Sequence, residues 1–234
     1  MINVTVYNEY LHEKSDETVA KIYPSGIHGA VKALLEKDAD LCVRTATLED
    51  IETSLSDEVL ASTDVLFWWG HIGHGAVPDE LAQKVVQRVR EGMGFVALHS
   101  AHYSKPFKLL MGTGCRLKWR ESGDRERMWV VEGWHPIVQG IPEYIDFEKE
   151  ETYGERFDIP APDEIVFMSN FSGGEVFRSG CTFHRGLGKI FYFKPGHEAY
   201  PIYHMEVVGQ ILRNAAHWAY TPKPVVPTFG QFLV

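Results

Sequence analysis

Residues 94–102 are Gly-Phe-Val-Ala-Leu-His-Ser-Ala-His, and this stretch decides the predicted fold. Phe95 to Leu98 form an unbroken apolar run, which is typical of a strand buried on both faces of a parallel sheet. The run stops at His99-Ser100-Ala101-His102. In an open α/β sheet the carboxyl ends of the strands form the ligand crevice, so polar side chains at this point indicate a functional site.

The composition is that of an ordinary globular protein, with 234 residues of which 44% are hydrophobic and 24% charged. The formal net charge of -9 argues against a nucleic-acid partner bound through its phosphates. No run of about 18 apolar residues predicts a membrane span, and the N-terminus enters strand-like sequence at once, so we expect a cytoplasmic protein without a membrane partner. Cys42, Cys115 and Cys181 are widely spaced, which favours reduced thiols over a disulfide scaffold.

Strands alternate with helices in the first half of the sequence. The predicted strands are 2–7, 41–44, 64–69 and 95–98. The predicted helices are 27–35, 55–61, 78–92 and 104–111, and a polar loop is predicted from the first strand through Lys21. This alternation predicts a doubly wound, mainly parallel sheet with right-handed crossovers.

The pattern changes after the helix at 104–111. Short strands are predicted at 116–119, 128–131, 145–148, 165–170 and 174–178, with no long helix between them. We interpret them as an antiparallel extension of the sheet, followed by a buried strand at 188–193 and a helix at 203–220. One α/β domain is therefore predicted over residues 1–220. The proline-rich arm at 221–234 has an apolar end, so we expect it to pack on the domain or on a neighbouring subunit of a homo-oligomer.

Polar side chains follow four of the predicted strands. Asn8-Glu9 follow the first, His71 the third, His99-Ser100 the fourth and His197-Glu198 the last, while His28 begins a helix near the same edge. Because doubly wound topology brings these strand ends to one edge, we expect the side chains to lie together.

A divalent metal, zinc above all, is one interpretation of this set, because imidazoles and carboxylates at this density can bind one. The candidate ligands are His28, His71, His99 and His197. A metal-free acid–base set is the other interpretation, with His99 or His197 as the imidazole and Glu9, Glu151 or Glu198 as its partner.

Three further residues have alternative roles. Ser100 follows a buried strand as the nucleophile of an elbow does, but the flanking glycines of that motif are absent. Tyr153 lies in an acidic segment at 150–155 that is either a lid over the site or a solvated turn. Arg178 either holds a substrate oxygen or pairs with the surplus of acidic residues.

Seven blocks of sequence carry a family resemblance. They are WWGHIGH at 68–74, GMGFVALHSAHYSK at 92–105, LMGTGCRLKWRE at 110–121, HPI at 135–137, EETYGE at 150–155, GGEVFRSGC at 173–181 and GKIFYFKPGHEAYP at 188–201. Together they resemble the ThuA family of trehalose-utilisation proteins. The resemblance implies a flavodoxin-like, class I glutamine amidotransferase-like fold. A glutaminase is not expected, because the elbow cysteine of the amidotransferases is replaced by Leu98-His99-Ser100.

The resemblance also implies a role in the catabolism of trehalose and related disaccharides, beside an oxidoreductase that makes 3-keto sugars. A 3-keto group acidifies the proton on C2, and its removal gives an enediolate that can expel the glycosidic oxygen from C1. We therefore expect cleavage or isomerisation of a 3-keto-glycoside, with a base and an electrophile for the enediolate oxygen.

The expected catalytic residues are His99, Ser100, His197 and Glu151. The expected substrate-binding residues are Glu9, His71, Tyr153, Arg178 and Glu198. No nucleotide cofactor is expected. The alternatives are a non-catalytic sugar-binding or regulatory module, and a metal-dependent hydrolase of another carbohydrate derivative.

Overall fold

The computed structural model describes residues 1–222, and in this part of the chain nine strands form one sheet. They are β1 (Ile2–Asn8), β2 (Leu41–Thr47), β3 (Val65–Trp69), β4 (Gly94–Leu98), β5 (Lys118–Val130), β6 (Tyr144–Gly154), β7 (Glu164–Phe171), β8 (Val176–Arg185) and β9 (Gly188–Phe193). The order across the sheet is β2-β1-β3-β4-β9-β8-β7-β5-β6. Nearly all of the arm predicted at 221–234 lies outside the described residues, so its packing stays a prediction.

The helices of the described chain are mostly short. They are α1 (His12–Ser15), α2 (Glu17–Ile22), α3 (Gly26–Leu35), α4 (Ile51–Ser54), α5 (Asp57–Ala61), α6 (Asp79–Arg90), α7 (Lys105–Met111) and α8 (Glu206–Ala219). The polar loop predicted through Lys21 is wrong, because α1 and α2 occupy it. Asp16 caps α2 by accepting the backbone N–H groups of Thr18 and Val19, and Val19 is buried, so few apolar positions are needed to fix this segment.

Strands β2, β1, β3, β4 and β9 are parallel and form the centre of the sheet. Helices α3 and α8 pack on one face of this centre, and α6 and α7 pack on the other. The residues of β3 and β4 are buried without exception. The doubly wound sheet predicted from the alternation of strands and helices is therefore confirmed, as is the flavodoxin-like fold that the family resemblance implies.

The antiparallel extension is also confirmed, but its strands are longer than predicted. The separate strands predicted at 116–119 and 128–131 are one strand, β5, and the segment 150–155 belongs almost wholly to β6. The polar run between Arg120 and Arg127 hid this continuity, since it contains two register shifts in the pairing of β5 with β6 and has no apolar alternation. The extension brings the end of β6 to the turn after β4, which places residues of both in one site.

Candidate functional site

The turn after β4 has the backbone strain of a strand-to-helix elbow. The φ angle of His99 is 53°, in the left-handed region that residues other than glycine rarely adopt. The Ser100 hydroxyl donates a 2.7 Å hydrogen bond to the carbonyl oxygen of Gly70, in the turn after β3. His99 is therefore the strained residue at the place where an elbow nucleophile stands, while Ser100 ties two strand ends together.

His12, His71 and Glu198 converge at the same edge of the sheet and are called the rim triad here. His71 Nδ1 lies 3.0 Å from His12 Nε2 and 3.1 Å from Glu198 Oε1, and the remaining pair of atoms, His12 Nε2 and Glu198 Oε1, is 3.4 Å apart. Atoms that bind one ion at about 2.1 Å are about 3.0 to 3.4 Å apart in octahedral or tetrahedral coordination. The other carboxylate oxygen of Glu198 is buried and makes no hydrogen bond to residues 1–222. The rim triad thus fits a divalent metal.

His99, Glu151 and His197 form a second group, called the buried triad here. His99 Nδ1 donates to the carbonyl of Lys194 at 2.8 Å, and its Nε2 faces Glu151 Oε2 at 3.1 Å. His197 Nδ1 accepts the backbone N–H of Ala199 at 3.2 Å, so Nε2 of the neutral ring carries the proton. Ligation through Nε2 would move that proton to Nδ1 and break the hydrogen bond from Ala199, whereas within residues 1–222 no backbone N–H fixes the ring of His12 or His71. The buried triad therefore suits proton transfer better than metal binding.

Both carboxylates of these triads are held in the ionised form. Burial would raise the pKa of Glu198, but the hydrogen bond from His71 and the charge of the His71 ring lower it to about 2. Burial would likewise raise the pKa of Glu151, yet its hydrogen bond to His99 and the charge of that ring bring it below the ordinary value. Glu151 is therefore available as a base and Glu198 as a ligand.

Glu9, whose predicted role in substrate binding stays a prediction, supports the turn after β3. Its buried carboxylate accepts the backbone N–H groups of His71 at 2.7 Å, Ile72 at 2.9 Å and Gly73 at 2.8 Å. A Cβ atom at Gly70 would lie 2.9 Å from Glu9 Oε1, which explains why this turn contains glycine. Glu9 thus sets the position of His71 and, with it, the rim triad.

A cavity of about 410 Å³ opens beside both triads. Its lining consists of His71, His74, Ser100, His102, Tyr103, Arg116, Leu117, Trp119, Glu151 and Tyr153. The Tyr153 ring stacks on His99 with a centroid distance of 5.3 Å. Burial lowers the pKa of His102 to about 3 and that of His74 to about 4, so both are neutral at pH 7. One cavity therefore contacts both triads, through His71 of the rim triad and Glu151 of the buried triad.

Two predicted site residues stand apart from both triads and from this cavity. His28 lies beside β1, where its Nδ1 is 3.1 Å from the side-chain nitrogen of Asn8. Arg178 pairs with Glu155 at 2.7 Å and donates to the carbonyl of Phe157. The four histidines proposed as metal ligands are therefore divided, with His71 in the rim triad, two in the buried triad and His28 in neither.

Two site features were missed in the sequence. His12 follows the carboxyl end of β1, and that position was a usable signal, but the segment was interpreted as a polar loop. Lys194 is fully buried, and its ammonium group contacts Glu126 Oε2 at 2.8 Å and the carbonyl of Glu151. Nothing in a single lysine after an apolar strand indicates such a pair, because its partner lies 68 positions away in the chain.

The comparisons with known proteins agree with this fold. The model of the ThuA family, described as trehalose utilisation, matches residues 3–219. Among curated proteins, none matches the chain. No helix within residues 1–222 is long and apolar enough to cross a membrane.

Solved structures of ThuA-like proteins resemble the chain over most of its length. One from Parabacteroides merdae is 17% identical, with a TM-score of 0.64 over 97% of this chain and 93% of that one. One from Bacteroides uniformis is 17% identical, with a TM-score of 0.63 over 93% and 91%. A cytoplasmic protein from Salmonella typhimurium is 13% identical, with a TM-score of 0.65 over 94% and 100%. At these identities the likenesses show the fold alone, and they agree with the predicted class.

Proposed function

Because the chain belongs to the ThuA family of trehalose utilisation, we propose that it acts on a 3-keto-glycoside by removing the C2 proton and expelling the glycosidic oxygen. The observation that carries the proposal is the pairing of two different groups beside one cavity. The rim triad converges within 3.0 to 3.4 Å, as metal ligands do, and Glu151 stands beside it as a buried, ionised carboxylate.

Glu151 is the base in this proposal. It lines the cavity, whereas His99 lies behind it, fully buried, with Nε2 3.1 Å from Glu151 Oε2. His99 in turn is fixed by its hydrogen bond to the carbonyl of Lys194. The pair can hold the abstracted proton between imidazole and carboxylate, which is the task of a general base and its partner.

The rim triad would hold a divalent metal, for which we prefer zinc because two histidines and one glutamate are a known catalytic zinc set. A metal bound there would supply a Lewis acid for the keto oxygen. Glu9, through the three N–H groups it accepts from the turn at 71–73, keeps His71 in position for this role.

The proposed reaction balances as an elimination followed by hydration. Glu151 takes the C2 proton, the C–H electron pair forms a C2–C3 double bond, and negative charge develops on the C3 oxygen. When the C3 carbonyl re-forms, the pair moves between C1 and C2, and the glycosidic oxygen leaves with its own electrons and takes up a proton from the Glu151–His99 pair. Addition of water to the C1–C2 double bond then gives a free 3-keto sugar.

The test compares two variants on one strand. Glu151→Gln removes the base, and we expect it to lower the release of glucose from 3-keto-trehalose at least about 100-fold, the usual size of a general-base contribution. Glu148→Gln, at an exposed position of β6, should retain the activity. Equal activity in both variants would contradict the role of Glu151. The function itself would be contradicted if the zinc-loaded protein left 3-keto-trehalose unchanged while a sugar-oxidising cell extract consumed it.

The proposal also includes the setting of the enzyme. A sugar oxidoreductase supplies the 3-keto-glycoside in this proposal, because the elimination and hydration described above contain no oxidation and so cannot make the keto group. We propose a cytoplasmic location, which the name of the Salmonella neighbour supports, and a homo-oligomer.

A further inference from the structure

Trp119 stands between two cavities. It is 66% exposed near the start of β5 and lines the 410 Å³ cavity that contains Glu151. It also lines a second cavity of about 480 Å³. The other residues around that second cavity are Lys118, Arg120, Thr152, Gly154, Glu155, Gly174, Glu175 and Val176.

The packing of the fold does not account for this indole ring. Trp119 belongs to neither apolar core, and within residues 1–222 its ring has no aromatic neighbour and its N–H has no acceptor. Trp129, farther along β5, differs on both counts, because its N–H donates to Asn170 and its ring packs on Tyr144. A large exposed ring with space on both sides is a feature of a ligand site.

The second cavity has polar groups in a fixed arrangement. Arg120 Nη2 donates to Glu175 Oε2 and to Asp124 Oδ2, each at 2.9 Å, and Thr152 donates to the same Asp124 oxygen at 2.7 Å. Carboxylates and a guanidinium held in this way offer acceptors and donors for neighbouring hydroxyl groups. A Cβ atom at Gly174 would meet no atom within 4 Å, so this side of the cavity is open.

We propose that Trp119 is the platform for the leaving ring of a two-ring glycoside. The reacting 3-keto ring occupies the cavity beside Glu151, and the second ring lies across the indole with its hydroxyl groups towards Arg120 and Glu175. The apolar C–H face of a sugar ring suits an aromatic surface, while its rim of hydroxyl groups suits the polar wall. This assignment rests on the proposed function and narrows its substrate class to disaccharides over simple alkyl glycosides.

The kinetic test compares 3-keto-trehalose with methyl 3-keto-α-glucoside, which lacks the second ring. In Trp119→Ala the loss of kcat/KM should be about tenfold greater for 3-keto-trehalose than for the methyl glycoside, the size expected for one aromatic contact. Trp119→Phe should remove most of this differential loss, and Trp134→Ala, at a 79% exposed tryptophan that lines neither cavity, should show none of it. Equal losses on both substrates would overturn the assignment.

A binding test separates this inference from the proposed function. Trehalose is added to the Glu151→Gln variant, and the indole N–H signals are followed by ¹⁵N NMR. The Trp119 signal should shift in a saturable manner while the Trp134 signal stays in place, whether or not the chain turns over a keto sugar. If trehalose does not shift the Trp119 signal, the proposed platform is overturned. The same holds if Trp119→Ala changes the oligomeric state of the protein and nothing else.

Discussion

His12 and His99 show how residues of one type acquire different tasks. The Nε2 atom of His12 meets His71 and Glu198 at the half-buried rim of the site. His99 is fully buried, with one ring nitrogen fixed on a backbone carbonyl and the other on Glu151. The groups around its ring nitrogens decide the role of a histidine. The His12 ring is therefore suited to binding a metal, and the His99 ring to transferring a proton with Glu151.

Metal content separates these two roles. We expect the chain to bind about one zinc ion, His12→Ala to lose it, and His99→Ala to retain it, since of these two histidines only His12 belongs to the rim triad, the proposed metal site. Elemental analysis of the three proteins, after loading with zinc and desalting, checks this. Loss of the metal in His99→Ala with retention in His12→Ala would move the metal to the buried triad.

Gly70 and Gly75, both in the segment between β3 and α6, give a matched pair for testing the support of His71. Gly70→Ala puts a Cβ atom 2.9 Å from Glu9 Oε1, so the carboxylate must move and its hydrogen bonds to the turn must lengthen. We expect a cost of about 1 to 3 kcal/mol in the free energy of unfolding, together with weaker zinc binding. The Cβ atom that Gly75→Ala adds meets no atom within 4 Å, so this variant should change neither the free energy of unfolding nor zinc binding. Urea denaturation and zinc titration measure both; a Gly70→Ala variant equal to wild type would contradict the role of Glu9.

At the scale of elements, the antiparallel extension completes the site. The parallel strands supply Glu9, His71, His99 and His197, but Glu151 and Tyr153 come from β6, which among the strands of residues 1–222 pairs only with β5. Asp124 helps to fix this pairing, because its carboxylate accepts from Thr152 of β6 at 2.7 Å and from Ser172 at 2.8 Å. The position of Glu151, the proposed base, therefore depends on strands outside the flavodoxin-like centre.

The contribution of Asp124 should depend on pH. Hydrogen bonds from Ser122, Thr152 and Ser172 hold the pKa of this carboxyl well below its usual range. A depressed pKa in the folded state adds stability above the pKa of the unfolded chain, about 3.9, and this stability is lost as the pH falls towards the folded value. Asp124→Asn should thus lower the free energy of unfolding by about 1 to 3 kcal/mol at pH 7 and by less at pH 3.

Urea denaturation at pH 7, 5, 4 and 3 measures this difference. Asp40→Asn is the control, because the Asp40 carboxylate is exposed and accepts no hydrogen bond within residues 1–222. A deficit in Asp124→Asn that stays constant between pH 7 and pH 3 would contradict the account.

At the scale of the whole molecule, the sequence was sufficient to predict the parallel sheet and to bring the candidate site residues to one of its edges. That edge can be recognised in the linear sequence, because apolar strand residues are followed at once by polar residues, as at Leu98-His99 and Phe193-Lys194. It did not reveal which histidines share a partner, because that depends on ring orientations such as the hydrogen bond from Ala199 to His197. Nor did the sequence reveal that β6 reaches the site, since a polar strand of this kind lacks the alternation of apolar and polar residues from which strands are recognised.

The central claim is that this chain removes the C2 proton of a 3-keto-glycoside with Glu151 as the base. The measurement that tests it most directly is ¹H NMR of 3-keto-trehalose in D₂O with zinc-loaded protein, corrected for a sample without protein. We predict that the C2 proton signal disappears while glucose appears, and that Glu151→Gln prevents both changes. An intact substrate that keeps its C2 proton, or glucose released while the product retains that proton, would contradict the account.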